Sequence, residues 1–193
     1  MDRQRPYPQT QEASTIERAL RAAPPGAGAG ATRVVAIDGR SGSGKSTLAA
    51  ALAARLGGAP VVSLEDLYGG WDGLEEGVAR VRETVLAPLG AGEPAQVPRY
   101  DWHAATWAQP WTLEPPAVLI VEGVGAGAFS LSPFTSVLVW IELDPATRRR
   151  RALDARGDRA IFAPHWERWA RQEDQHYARE RTSQRAAVLL RGH

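Results

Sequence analysis

The chain has 193 residues, 44% hydrophobic and 23% charged, with a formal net charge of +1 and no cysteine. That suits one domain with a good core and argues against a disulfide scaffold, a thiolate metal site or a global basic field for nucleic acid. No apolar run of about 18 residues marks a membrane helix, and the polar start Met1–Pro6 lacks the apolar centre of a signal peptide, so a cytoplasmic protein is expected.

Residues 1–30 read as an N-terminal extension and 31–193 as the domain proper. Met1–Thr10 is polar and loose. Ser14 with Glu17 three residues on has the pattern of a capping box and predicts a short helix over Thr15–Ala22. Pro24–Gly30, rich in Gly and Pro, reads as a flexible linker.

Arg33–Asp38 is a short buried strand and Ser46–Leu56 a helix. Between them lies Gly39-Arg40-Ser41-Gly42-Ser43-Gly44-Lys45-Ser46-Thr47, which fits G-x-x-x-x-G-K-[ST] in the strand–loop–helix setting the pattern requires. Glycines let backbone wrap an anion closely, and successive N–H groups with the helix N-terminus then point at phosphates. Lys45 is placed to reach the β- and γ-phosphates, and the Ser46 hydroxyl to ligate Mg²⁺. Lys45 is the only lysine among the 23 basic residues; every other is arginine. A compact, flexible ammonium is kept where a planar fork would not serve.

Pro60–Leu64 predicts a second strand, ending in Glu65-Asp66-Leu67-Tyr68. In an open parallel sheet, ligands sit beyond the carboxyl ends of strands, so these acids face the same crevice as the loop. Leu74–Leu86 carries Val78, Val81, Val85 and Leu86 at helical spacing. Pro88–Pro116 reads as a long turn-rich segment holding Tyr100, Asp101, Trp102, His103, Trp107 and Trp111; its aromatics either stack on a ligand or cover the core. Ala117–Gly123 is a buried strand ending in Glu122, where a phosphate-loop enzyme places its second Mg²⁺-organising acid. Ser136–Leu143 is the next strand. Asp144-Pro145 opens a helix with Asp at the N-cap and Pro at the first helical position, and Arg148–Arg151 follow on it. His165–Arg181 predicts a last amphipathic helix and Ala186–Leu190 a final strand. Strands alternating with helices give a three-layer α/β phosphate-loop fold with a five-stranded parallel sheet.

Together GRSGSGKST, LEDLY, VPRYDW, LIVEG and DPATRRRRALDARGD resemble the uridine kinase-like branch of the phosphate-loop kinases, related to phosphoribulokinase and pantothenate kinase. The resemblance runs from about Arg33 to Arg191. It implies ATP with Mg²⁺ as cofactor and a small-molecule alcohol, nucleoside-like, as acceptor of the γ-phosphoryl, with no nucleic acid or membrane partner. It implies that Glu65 or Asp66 is the base, that Tyr68, Tyr100, Asp101 and Trp102 bind the acceptor, that Ser46 and Glu122 hold the metal, and that Arg156, with Arg148–Arg151, belongs to a short arginine-rich lid. Where nucleoside kinases of this family carry a histidine beyond the tyrosine, this chain has Ala105, with His103 nearby, and Asp158 stands where an arginine is common. Two other readings compete. One is a nucleotide-binding switch without an acceptor, although the chain has no asparagine from which to build a guanine-reading Asn-Lys-x-Asp motif. The other is a nucleoside monophosphate kinase, with Arg99 and the arginine cluster gripping a second phosphate.

Overall fold

The computed structural model describes residues 9–154 and 162–192. Its centre is a parallel sheet of five strands: β1 (Arg33–Asp38), β2 (Val61–Ser63), β5 (Val118–Glu122), β6 (Thr135–Glu142) and β7 (Val188–Arg191), in the order β2-β5-β1-β6-β7. The expected doubly wound fold is therefore the observed one. β1 and β5 are near-continuous runs of branched apolar residues because both faces are covered by helices. The register aligns Ile37 and Ser63 with Glu122, so the carboxyl ends of three strands converge at one level.

The helices are α1 (Gln9–Ala22), α2 (Lys45–Arg55), α3 (Leu74–Val81), α4 (Ala87–Gly90), α5 (Pro145–Asp154), α6 (Trp166–Glu180) and α7 (Thr182–Arg185). α2 and α1 cover one face of the sheet, where Ile16, Leu20, Leu48 and Leu52 meet Val35, Ile37 and Val139. α3 and α4, with the segments around them, cover the other through Leu74, Val78, Val81 and Leu89.

α1 begins at Gln9, several residues before the expected start. Ser14 is thus inside the helix, and no capping box forms. Glu17 instead accepts from Arg21 Nη2 at 2.6 Å and pairs with Arg55 of α2. Ala13, Ile16 and Leu20 recur at helical spacing on the buried face, and burial of that stripe outweighs a local capping preference. Pro24–Gly30 is packed rather than slack: Gly28 N–H donates to Pro133 O at 2.8 Å, and a Cβ on Gly26 would lie 2.5 Å from the Phe134 carbonyl carbon.

Two further expectations change. Beyond Val81 the helix widens into a π-type stretch, Arg82–Leu86, before α4. Pro88 has no N–H for the carbonyl four residues back, and a π-bulge absorbs the mismatch. Pro88–Pro116 is not irregular: Ala95–Asp101 and Thr106–Leu113 form an antiparallel hairpin, β3–β4. Its register shifts between Val97 and Arg99, at Pro98, which cannot donate to a ladder. Ala95 and Val97 alternate inward on β3, with Leu113 paired opposite Ala95, a short period-2 signal that the surrounding prolines hide. No helix among the described residues is long and apolar enough to cross a membrane.

Candidate active site

The phosphate loop leaves β1 and enters α2. Gly42 and Gly44 have φ of 78° and 99°, left-handed values that glycine adopts without strain. At Gly42 space adds a second demand, because a Cβ would lie 2.1 Å from the Arg148 carbonyl oxygen of α5. Beside Gly44 nothing lies within 4 Å, so its open side faces the crevice. Lys45 is only 8% exposed and bends back so that Nζ donates to Arg40 O at 3.2 Å. The ammonium is thereby held at the loop it would serve.

Beneath the loop lies Asp38, which the sequence reading did not single out. It is fully buried and accepts from Gly39 N–H at 2.7 Å, Gly125 N–H at 3.0 Å, Gly127 N–H at 2.8 Å and the Tyr177 hydroxyl at 2.6 Å. Burial first, and the neighbouring carboxylate second, push the Tyr177 hydroxyl well above the usual phenol range, so it stays a donor. One carboxylate thus ties the start of the phosphate loop to the turn after β5 and to α6. The available signal was an acid closing an otherwise apolar buried strand.

Across from the loop, Glu122 at the end of β5 is 3% exposed. Its Oε1 accepts from Ser46 Oγ at 3.1 Å and from Ser63 Oγ at 2.7 Å. Ser63, also missed from sequence, is the register partner of Glu122 on β2. A hydroxyl from the phosphate loop and a carboxylate from the sheet therefore meet at hydrogen-bond distance. Among the described residues no three His, Cys, Asp or Glu side chains cluster as a metal cage. Mg²⁺ does not need one: it commonly takes one or two protein oxygens plus phosphate oxygens and water, and Ser46 with Glu122 fits that donor set.

The turn Leu64–Leu67 follows Ser63, whose side chain accepts from Glu65 N–H. Glu65 is exposed and Asp66 half-buried. Burial raises the Asp66 carboxyl above its ordinary range; Arg99 opposes the shift and Glu122 adds to it. Tyr68 lines the crevice, but its hydroxyl is committed to Val124 O at 2.7 Å and its ring to Trp169.

The far wall is aromatic. Trp102 donates Nε1–H to the Glu65 carbonyl at 3.1 Å, which pins the hairpin loop to the acidic turn. Trp71 packs between Trp102, at 4.6 Å between ring centroids, and His165, at 4.4 Å. Tyr100 sets its ring edge-on to Trp102 and Trp107. Asp101 spends Oδ1 on the N–H groups of His103 and Ala104, both at 2.9 Å, which closes the hairpin loop and holds its carboxyl below the usual range.

Ser41 to Thr47, Glu65, Asp66, Tyr68, Tyr100 to Trp102 and Glu122 all line one crevice of about 1000 Å³. Gly39 lies behind it, against Asp38. Of the consecutive arginines, Arg151 lines the crevice, whereas Arg148 is buried and donates to Leu143 O at 3.2 Å and Ser41 O at 3.3 Å. Arg149 and Arg150 are exposed. Arg156 and Asp158 lie outside the described residues. Arg99 lines the same crevice.

No protein-family model matches the chain, and no curated protein matches it. Solved structures do. A protein described as a possible uridine kinase from Bacillus stearothermophilus aligns with a TM-score of 0.65 at 22% identity, over 93% of this chain and 97% of that one. A candidate fructose transport system kinase from Silicibacter sp. TM1040 aligns with a TM-score of 0.55 at 20% identity, over 96% of this chain and 99% of that one. At such identities the likeness shows the fold alone, the five-stranded parallel sheet flanked by helices that this chain shares with both.

Proposed function

We propose that the protein is an ATP- and Mg²⁺-dependent kinase that transfers the γ-phosphoryl to a hydroxyl of a small-molecule acceptor, uridine kinase-like, with nucleosides the first class to try. The observation that carries this reading is the hydrogen bond from Ser46 to Glu122, with Ser63 on the same oxygen, midway between a glycine cradle and an acidic turn. Phosphoryl transfer to an acceptor needs a phosphate cradle, a metal platform and a further acid towards the acceptor, and residues of all three types line this crevice.

The chain's own groups divide the work. The loop amides and the N-terminus of α2 bind the phosphates, and Lys45 adds a point charge. Mg²⁺ held by Ser46 and Glu122 would neutralise charge on the β- and γ-phosphates. Asp66 is the first assignment for accepting the acceptor's proton, because half-burial lifts its basicity while Glu65 stays exposed. The wall of Tyr100, Trp102 and Trp71 orients the acceptor and excludes water. Arg151, and Arg156 beyond the described residues, would supply charge to the transferring group. An enzyme drawing on ATP and a free small molecule belongs in the cytoplasm.

Arg99, facing the crevice beside Asp66, favours one second reading, an acceptor that already carries a phosphate, as in a nucleoside monophosphate kinase. The test is ATP consumption by wild type and Lys45→Ala across nucleosides, nucleoside monophosphates and other small alcohols. Turnover stimulated by one class and lost in the variant is the expected result. Nucleotide binding with no stimulation across the panel would instead make the protein a nucleotide-binding switch.

A further inference from the structure

α6 touches both halves of the crevice. On the nucleotide side Glu173, 1% exposed, accepts the Ser41 backbone N–H at 2.8 Å and the Trp169 Nε1–H at 3.1 Å, both on Oε1. Its neighbour Asp174 pairs with Arg40 Nη1 at 2.6 Å, and that nitrogen lies 3.6 Å from Glu173 Oε2. One turn on, Tyr177 bonds Asp38. On the acceptor side Gln172 donates to Trp71 O at 2.6 Å, and Arg168 pairs with Asp72.

A carboxylate buried beside a loop built to attract anions runs against electrostatic expectation. It opposes phosphate, and an apolar residue of similar size would fill the space at lower desolvation cost. Its geometry supplies the reason: it reaches the loop through one backbone N–H, next to the arginine that balances its charge. We propose that Glu173 is a positioning residue, whose hydrogen bond to the Ser41 amide holds the phosphate loop in register with the aromatic wall, whose Trp71–Asp72 segment the same helix grips through Gln172 and Arg168. This rests on reading the loop as the nucleotide site.

The experiment combines amide hydrogen exchange of the loop without nucleotide, titration with a non-hydrolysable ATP analogue plus Mg²⁺, and thermal unfolding. The proteins are wild type, Glu173→Gln, Glu173→Asp and Glu173→Ala. The Gln carbonyl can still accept both N–H groups, so that variant should keep loop protection and affinity. Ala should speed exchange across Gly39–Gly44 and weaken the analogue on the order of tenfold. Asp, one methylene short, should move the same way by less, and it carries the test if the Ala variant does not fold. Loop exchange unchanged in both Asp and Ala, protection lost uniformly over the sheet, or Gln behaving as Ala would each overturn the proposal. If wild type binds no nucleotide while Ala still loosens the loop, the positioning role stands and the kinase reading falls.

Discussion

The two halves of the crevice are built on different principles. The half proposed to take phosphate is backbone: glycines in left-handed conformations, amides, and a helix N-terminus, with Lys45 and Ser46 beside them. The opposite half, proposed to take the acceptor, is side chain: Trp71, Tyr100 and Trp102 lean on one another from a loop and a hairpin, with His165 behind Trp71. Backbone geometry admits few residues, so the first half tolerates little change. Ring packing admits many arrangements, so the second half can change while the frame stays.

Substitutions can break this contrast. Lys45→Ala should have the largest effect, lowering turnover by roughly a hundredfold or more while the melting temperature stays close to wild type. Activity and thermal unfolding measured together decide it. Asp66→Asn should follow, with a loss on the order of a hundredfold if it is the base. Because burial raises its carboxyl, wild-type activity should rise with pH through a step lying above the ordinary carboxylate range. The acid must lose its proton before it can accept one, and that step should vanish from the residual rate of the Asn variant. Glu65→Gln under the same assay should leave the step in place; if it removes the step instead, the base is Glu65.

Gly42→Ala forces a Cβ against the Arg148 carbonyl at a positive φ, and should destabilise the fold by more than about 1 kcal/mol in denaturant unfolding as well as weaken nucleotide binding. Trp102→Ala should act on the other half alone, raising the acceptor KM several-fold, in line with about 1 kcal/mol for an aromatic contact, with nucleotide affinity unchanged. Nucleotide affinity falling equally would show that the halves are not separate. Arg168→Ala, removing a largely exposed pair with Asp72, should cost least, within about 1 kcal/mol of stability.

Much of the frame was legible in the chain itself. Buried strands are runs of branched apolar residues, and the five parallel strands lie close to where those runs predict them. The hairpin was not, because Pro98 and Pro110 read as breakers, although an edge ribbon tolerates them at a bulge or on its open side. The early start of α1 was missed for a similar reason: a plausible local cap at Ser14 competed with a longer buried stripe that only the sheet reveals.

The sequence alone determined the phosphate loop, since wrapping backbone around an anion demands glycine at fixed offsets, and those demands are local. It also marked Glu122 as an acid closing a buried strand. What only the tertiary structure decided is which groups hold that loop and what faces it. Ser63 meets Glu122 across 59 residues, Ser41 meets Glu173 across 132, and Asp38 meets Tyr177 across 139. A single carboxylate or hydroxyl has no local signature for such a partner. Its role exists only when folding brings the partner within hydrogen-bond distance and removes the water that would otherwise satisfy both.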